Sequence, residues 1–263
     1  MASSEQSGLP RFDRNWALFL DVDGTLLDVA DRPEAVVVPP NLCEILQRIS
    51  QLTGGALALV SGRQVADLDR LFEPVRYPAA GQHGVERRDA LGKTTMMGGV
   101  AHLIHAAASE LREQASGQQG VCVEHKGLTL AMHYRLAPHR RDWVAGAMRS
   151  LLARLGDEFR LIEGDMVFEI APGGKDKGVA ISEFMREPPF AGRLPVFLGD
   201  DSTDEDGFDV VNALNGLSVK VGAGVSVARW RAADAQSVRK WLADYAQYLT
   251  DDRCRGKGVD LSN

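Results

Sequence analysis

The chain has 263 residues, with 30 Lys and Arg against 36 Asp and Glu, for a formal net charge of -6. That is enough for one large domain or two modest ones. The charge balance and the lack of a basic cluster point away from nucleic acid, and no apolar run approaches the length of a membrane span. The opening stretch has no positive segment leading into an apolar one, so no signal peptide is expected. The cysteines, Cys43, Cys122 and Cys254, are scattered, fitting neither a zinc site nor a disulfide framework. That usage suits a reducing cytoplasm.

Residues 1–11 and 251–263 read as loose tails. Trp16–Leu20 is apolar throughout and predicts a short buried strand, broken by Asp21-Val22-Asp23-Gly24-Thr25. Side chains two apart on a strand share a face, so Asp21 and Asp23 would point the same way where the strand ends. A proline-containing loop leads to a predicted helix over 41–52, stopped by Gly54-Gly55. A second buried strand over 56–60 ends in Ser61-Gly62-Arg63, a helix follows to about Phe72, and a third strand over 77–80 runs into Gly81-Gln82-His83-Gly84. Strand alternating with helix predicts a parallel sheet with right-handed crossovers.

The texture then changes. Residues 102–115 read as a helix, 121–126 and 128–135 as a hairpin, 139–155 as a helix, and 159–162 with 167–170 as a second strand pair. Leu128, Leu130, Met132 and Tyr134 fall on one side of their strand, with His133 and Arg135 on the other. Glu124 and Lys126 share a face of the partner strand, and Glu169 opposes Phe168 and Ile170. Such a sheet would bury its apolar side under two helices and present a polar one. After Pro172 the parallel pattern resumes, with a helix from Lys177, strands over 194–198 and Leu217–Val221, and a closing helix over 237–249. The expected fold is therefore α/β: a Rossmann-like parallel-sheet core with helices on both faces, formed by 12–94 and 172–250. An α+β domain with an antiparallel sheet, 95–171, would be inserted in it.

Polar groups gather where strands end: Asp21 and Asp23, Ser61 and Arg63, and Asp200, Asp201 and Asp204, with Lys177 at a helix start. Ligands of open α/β sheets bind at the carboxyl ends of the strands. Carboxylates suit a hard divalent cation, and a hydroxyl, an ammonium and backbone N–H groups suit phosphate oxygens. One carboxylate is left to attack phosphorus and another to move protons. Blander readings remain for single residues. Ser61 can be a turn residue, Arg63 an ion pair at a helix start, Asp206 a helix-start acid and Lys175 a solvated neighbour. His102 and His105 lack the spacing of a metal set.

In this order the motifs resemble those of the haloacid-dehalogenase phosphatase superfamily: Asp21-Val22-Asp23-Gly24-Thr25, Ser61, Lys177-Gly178 and Gly199-Asp200-Asp201. Finer strings are similar to those of the trehalose-6-phosphate phosphatases. They are Gly81-Gln82-His83-Gly84, Glu124-His125-Lys126, His133-Tyr134-Arg135 and Gly199-Asp200-Asp201-Ser202-Thr203-Asp204-Glu205-Asp206. Ala171, ahead of Pro172-Gly173, departs from the family's usual basic residue.

The resemblance implies Asp21 as nucleophile and Asp23 as general acid and base. Ser61 and Lys177 would bind the phosphoryl group. Mg²⁺ would be held by Asp21, the Asp23 carbonyl and Asp200, with Asp201 or Asp204 acting through water or orienting Lys177. It further implies a mobile cap of the C2 type. Sugar contacts are expected from Arg63, His83, Gly84, Glu124, Lys126, His133, Arg135 and Glu169. The implied protein is a cytoplasmic monomer whose only partner is a small sugar phosphate. Sucrose 6-phosphate as substrate, a phosphomutase, and a sugar-binding module without catalysis stand as alternatives.

Overall fold

A computed structural model describes residues 6–30 and 35–256. In chain order the first strands and helices are β1 Gln6–Ser7, β2 Trp16–Leu20, α1 Leu42–Leu52, β3 Leu57–Val60, α2 Val65–Leu71, β4 Ala79–Gly81, β5 Glu86–Arg88 and β6 Thr94–Met96. Next come α3 Ala101–Ala115, β7 Cys122–His125, β8 Leu130–His133, α4 Arg141–Leu155, β9 Phe159–Gly164 and β10 Val167–Pro172. The chain closes with α5 Lys177–Phe184, β11 Leu194–Gly199, α6 Glu205–Ala213, β12 Leu217–Val221, β13 Trp230–Ala232 and α7 Ala235–Gly256.

The larger sheet has the order β1-β13-β12-β11-β2-β3-β4-β5-β6. It is parallel from β1 to β4, and β5 and β6 extend it as antiparallel strands. Its centre is apolar on both faces, as a covered parallel sheet requires. Leu18, Leu20, Leu57, Leu59, Val196, Leu198, Val219 and Val221 pack with residues of α1, α2 and α7. Their neighbours Ala17, Phe19, Ala58, Val60 and Phe197 pack on the other face with Ala180, Ile181 and Phe184 of α5 and Phe208 and Val211 of α6. The strict alternation of strand side chains divides one run such as Trp16–Leu20 between two cores.

The second sheet is antiparallel, with order β7-β8-β10-β9. Leu128, Leu130, Met132, Tyr134, Phe168 and Ile170 form its apolar side, buried under α3 through Ile104 and Leu111 and under α4 through Val144 and Met148. The chain is thus an α/β core carrying an inserted α+β cap.

Four features depart from the sequence expectation. Strands β5 and β6 belong to the larger sheet, so the expected boundary at 94/95 falls inside β6. Strand β13, unexpected, pairs with both β12 and β1. The described parts of the supposed loose ends are structured. Gln6–Ser7 pairs with Trp230 and Arg231, and α7 continues to Gly256. Short strands of this kind carry too little alternation to be seen, and partners far along the chain hold them. The remainder of both expected tails, 1–5 and 257–263, lies outside the described residues.

Candidate active site

Strands β2, β3 and β11 lie side by side, and each ends in one of the motifs. The Asp21 amide still donates to the Leu198 carbonyl at 3.0 Å, so the first carboxylate leaves the sheet with its backbone anchored. Gly24 then turns the chain at φ 79°; a Cβ there would stand 2.1 Å from Asp200 Oδ2. Only glycine has both that conformation and that clearance. The Ser61 amide donates to Ala80 at 2.8 Å, and its hydroxyl accepts the Arg63 amide at 3.2 Å. Asp176 caps α5 by accepting the Val179 amide at 2.7 Å, which starts the helix with Lys177 facing the strand ends.

The Lys177 ammonium donates to Asp21 Oδ1 at 2.8 Å and to Asp204 Oδ1 at 2.7 Å. All three groups are buried. Asp204 Oδ2 accepts the amides of Asp200 and Asp201 at 2.9 and 3.0 Å, and the Asp201 side chain accepts from the Thr203 amide in a reciprocal capping box. Burial pulls the Lys177 ammonium down, but Asp204 and Asp21 together hold it well above its ordinary value. Burial raises the Asp21 carboxyl well above its usual range, against the pull of Lys177. Burial and the charge of Asp204 push Asp200 up to about 7. One lysine does not neutralise this group of acids.

Carboxylate oxygens of Asp21, Asp200 and Asp204 come within 4.8 Å of one another. The donors are all oxygen, the acids are undercompensated, and Gly24 clears the space beside Asp200, so the residues fit Mg²⁺. Asp21 and Asp200 are the better ligands, because both Asp204 oxygens are already occupied.

Above the strand ends the cap's polar face closes a cavity of about 200 Å³. Asp21, Asp23, Ser61, Arg63, His83, Lys177, Asp200 and Asp201 line it from the core. Glu124, Lys126, His133, Arg135 and Glu169 line it from the cap. Arg63 grips both Asp23 oxygens at 2.7 Å. Glu169 Oε2 accepts from Lys126 Nζ at 2.9 Å and lies 3.3 Å from His83 Nε2, joining cap to core. Lys126 also donates to the Gly62 carbonyl at 3.2 Å. Burial opposes the Glu169 charge, yet Lys126 and His83 hold its carboxyl well below the usual range. Burial lowers Lys126, but Glu169 and Glu124 raise it to a net upward shift. His133 Nε2 lies 2.8 Å from Glu124, whose carboxyl is held down in spite of burial by that bond and by Lys126.

One expected site residue sits elsewhere. Gly84 does not line the cavity. With φ 95°, it lets the chain pass the Asp176 carbonyl, which a Cβ would meet at 2.5 Å. Of the two roles expected of Asp204, its contacts are those of orienting Lys177: it lies beneath the cavity, bonded to Lys177 and to the Asp200 loop. Three contributors escaped the sequence reading. Gln82 accepts the amide of the cap's Leu128 at 3.1 Å, Thr25 donates to Asp200 at 3.3 Å, and Lys220 donates to the Asp200 carbonyl. Thr25 and Gln82 stand inside motif strings without a role of their own there, and Lys220 shows as a charge near the end of an otherwise apolar strand.

Comparison with known proteins agrees with this architecture. Residues 19–239 match the family model described as trehalose-phosphatase. The chain is 44% identical over 258 residues to a protein of Escherichia coli (strain K12) named trehalose-6-phosphate phosphatase, covering 97% of this chain and 95% of that one. It is 44% identical over 234 residues to a probable trehalose-phosphate phosphatase of Sinorhizobium fredii, covering 88% of each. Among solved structures, a trehalose-6-phosphate phosphatase related protein superposes with a TM-score of 0.76 at 24% identity, covering 89% of this chain and 99% of that chain. This last likeness concerns the fold alone. With the family model spanning both flanks of the core and the cap between them, the chain belongs to the trehalose-phosphatase family.

Proposed function

We propose that the chain is a Mg²⁺-dependent phosphatase that hydrolyses trehalose 6-phosphate to trehalose and inorganic phosphate through an aspartyl-phosphate on Asp21. The observation that carries the reading is the Lys177 ammonium, bonded to Asp21 at 2.8 Å inside a cavity that Ser61, Asp23 and Asp200 also line. The choice of sugar rests on the 44% identity to the Escherichia coli relative.

Asp21 Oδ2, the oxygen not bonded to Lys177, attacks phosphorus, and the P–O bond to the sugar breaks. Asp23 exchanges its Arg63 bonds for the leaving oxygen, takes up a proton from solvent once free of the guanidinium, and gives that proton to the leaving oxygen. It then takes a proton from the water that attacks phosphorus, which releases phosphate and returns Asp21 to its carboxylate form. Ser61 and Lys177 bind the phosphoryl oxygens. Asp21, the Asp23 carbonyl and Asp200 would hold Mg²⁺, whose charge offsets that of the phosphoryl group. Arg63, His83, Glu124, Lys126, His133, Arg135 and Glu169 form the polar wall against which the sugar hydroxyls fit.

The cap, which follows β6 and ends with β10, moves to admit substrate and closes to exclude water. The protein acts as a cytoplasmic monomer. Among the described residues no helix is long and apolar enough to cross a membrane.

Phosphate release from trehalose 6-phosphate, sucrose 6-phosphate and glucose 6-phosphate, each with Mg²⁺, tests the proposal. Trehalose 6-phosphate should be turned over fastest, and Asp21→Asn should abolish release. Faster hydrolysis of either other ester would overturn the substrate, and full activity of Asp21→Asn would overturn the nucleophile.

A further inference from the structure

Lys220 stands in β12 opposite Gly199 of β11, one step before Asp200. Val219 and Val221 pack toward α1 and α7, so Ser218 and Lys220 face the opposite side of the sheet. Lys220 is only 6% exposed, and its ammonium donates to the backbone carbonyl of Asp200. Among the described residues no carboxylate lies within 4.0 Å of that ammonium. A buried cation spent on a neutral carbonyl is costly. At this strand position an aliphatic residue would serve packing better, so the cost needs another return.

The surroundings of Asp200 supply one. The two peptide groups that flank Asp200 are both held, the Asp200 and Asp201 amides by Asp204 Oδ2 at 2.9 and 3.0 Å and the Asp200 carbonyl by Lys220. Its carboxylate accepts from the Thr25 hydroxyl at 3.3 Å and lies against the bare Cα of Gly24. Among the described residues no other hydrogen bond to that carbonyl is found; without Lys220 the Asp200–Asp201 peptide would be held by its Asp201 amide alone and would tilt more freely, turning the carboxylate away from Asp21.

Resting on the phosphatase reading above, we propose that Lys220 is a positioning residue for the Mg²⁺ site. It fixes the Asp200 peptide so that the carboxylate presents toward Asp21, and it places a second ammonium near a group of acids that Lys177 alone undercompensates. It touches neither substrate nor the reacting atoms.

The test is Mg²⁺ affinity, read without substrate by calorimetric titration of MgCl₂ into wild type and Lys220→Met. A parallel assay of Mg²⁺ half-saturation uses phosphate release. Lys220→Met should weaken Mg²⁺ binding tenfold or more and raise the half-saturation concentration in step. The KM for trehalose 6-phosphate at saturating Mg²⁺ should stay within twofold. Lys220→Arg, which keeps both donor and charge, should restore affinity to within about threefold of wild type. Where Lys220→Met does not yield folded protein, Lys220→Gln replaces it under the same criteria, since its amide stops one bond short of the carbonyl. Unchanged Mg²⁺ affinity in the variant that folds would overturn the proposal, and so would a loss confined to KM or to melting temperature. Because calorimetry needs no substrate, failure of the phosphatase reading would appear in the phosphate-release assay alone.

Discussion

Lys177 sits between two buried carboxylates, and that position makes its two contributions inseparable. It lowers the repulsion between Asp21 and Asp204, and it carries the charge that a phosphoryl group would meet. Removing one partner of a buried ion pair leaves an uncompensated charge and costs about 3–5 kcal/mol. Lys177→Met should therefore lose stability of that order in thermal unfolding. It should also lose about 10²–10³ in kcat, the usual effect of removing a charge-stabilising donor, as measured by phosphate release. Gly24 gives a sharper prediction. A methyl group there would meet Asp200 Oδ2 at 2.1 Å in a backbone conformation that alanine resists. Gly24→Ala should weaken Mg²⁺ binding by at least ~10-fold, about 1.4 kcal/mol, in a calorimetric titration.

At the scale of elements, the telling contact is between β10 of the cap and the short turn after β4 in the core. Gln82 and His83 hold φ of 49° and 58°, uncommon for residues with side chains, and this backbone brings the His83 ring against Gly62 and within 3.3 Å of Glu169. Glu169 and Glu124 are both held below the ordinary carboxylate range. Their stabilisation is fully present above the unfolded carboxylate pKa of ~4.3 and is lost as pH falls through the lower folded values. Lys126 is shifted upward, so its contribution is complete below the unfolded lysine pKa of ~10.4 and is lost as pH rises past it. The cap–core contact should thus be strongest between these limits. Wild-type melting temperature should fall more steeply below pH 4 than that of Glu169→Gln, which should be less stable at pH 7; melting curves from pH 3 to 8 decide it.

Over the whole molecule, the chain ends are tied by aromatic packing. Trp16 stacks with Trp241 at 5.5 Å and meets Tyr245 at 4.9 Å, while Phe12 touches all three rings. The Trp241 indole N–H donates to the Pro10 carbonyl at 3.2 Å. Trp16→Ala should cost about 3–5 kcal/mol in chemical denaturation, the usual loss for a buried tryptophan, with Mg²⁺ affinity nearly unchanged. Mg²⁺ itself should stabilise wild type by about 2.7 kcal/mol at 100 times its Kd. Asp200→Asn should lose most of that gain in a thermal shift measured with and without MgCl₂.

Much of this was legible in the chain because it was written in local pattern. Apolar runs such as Trp16–Leu20 predict strands, alternation along 128–135 predicts a two-sided sheet, and the Asp21, Ser61 and Asp200 motifs each follow directly on a strand. What was not legible had its cause elsewhere in the chain. Gly84 looked like part of a ligand loop, yet its freedom serves an approach to Asp176. Strands β5, β6 and β13 are three residues each, too short for a pattern of their own, and exist through their neighbours.

The α/β alternation, the inserted cap and the order of the motif residues follow from the chain's local pattern, because burial and strand or helix period act on near neighbours. That Arg63 grips Asp23, that Glu169 bridges to His83 and that Lys220 reaches Asp200 came from the three-dimensional packing alone. Each of these joins residues distant in sequence through a hydrogen bond or ion pair. Such bonds depend on a few ångströms of separation and on burial, which the packing of sheet, helices and cap sets.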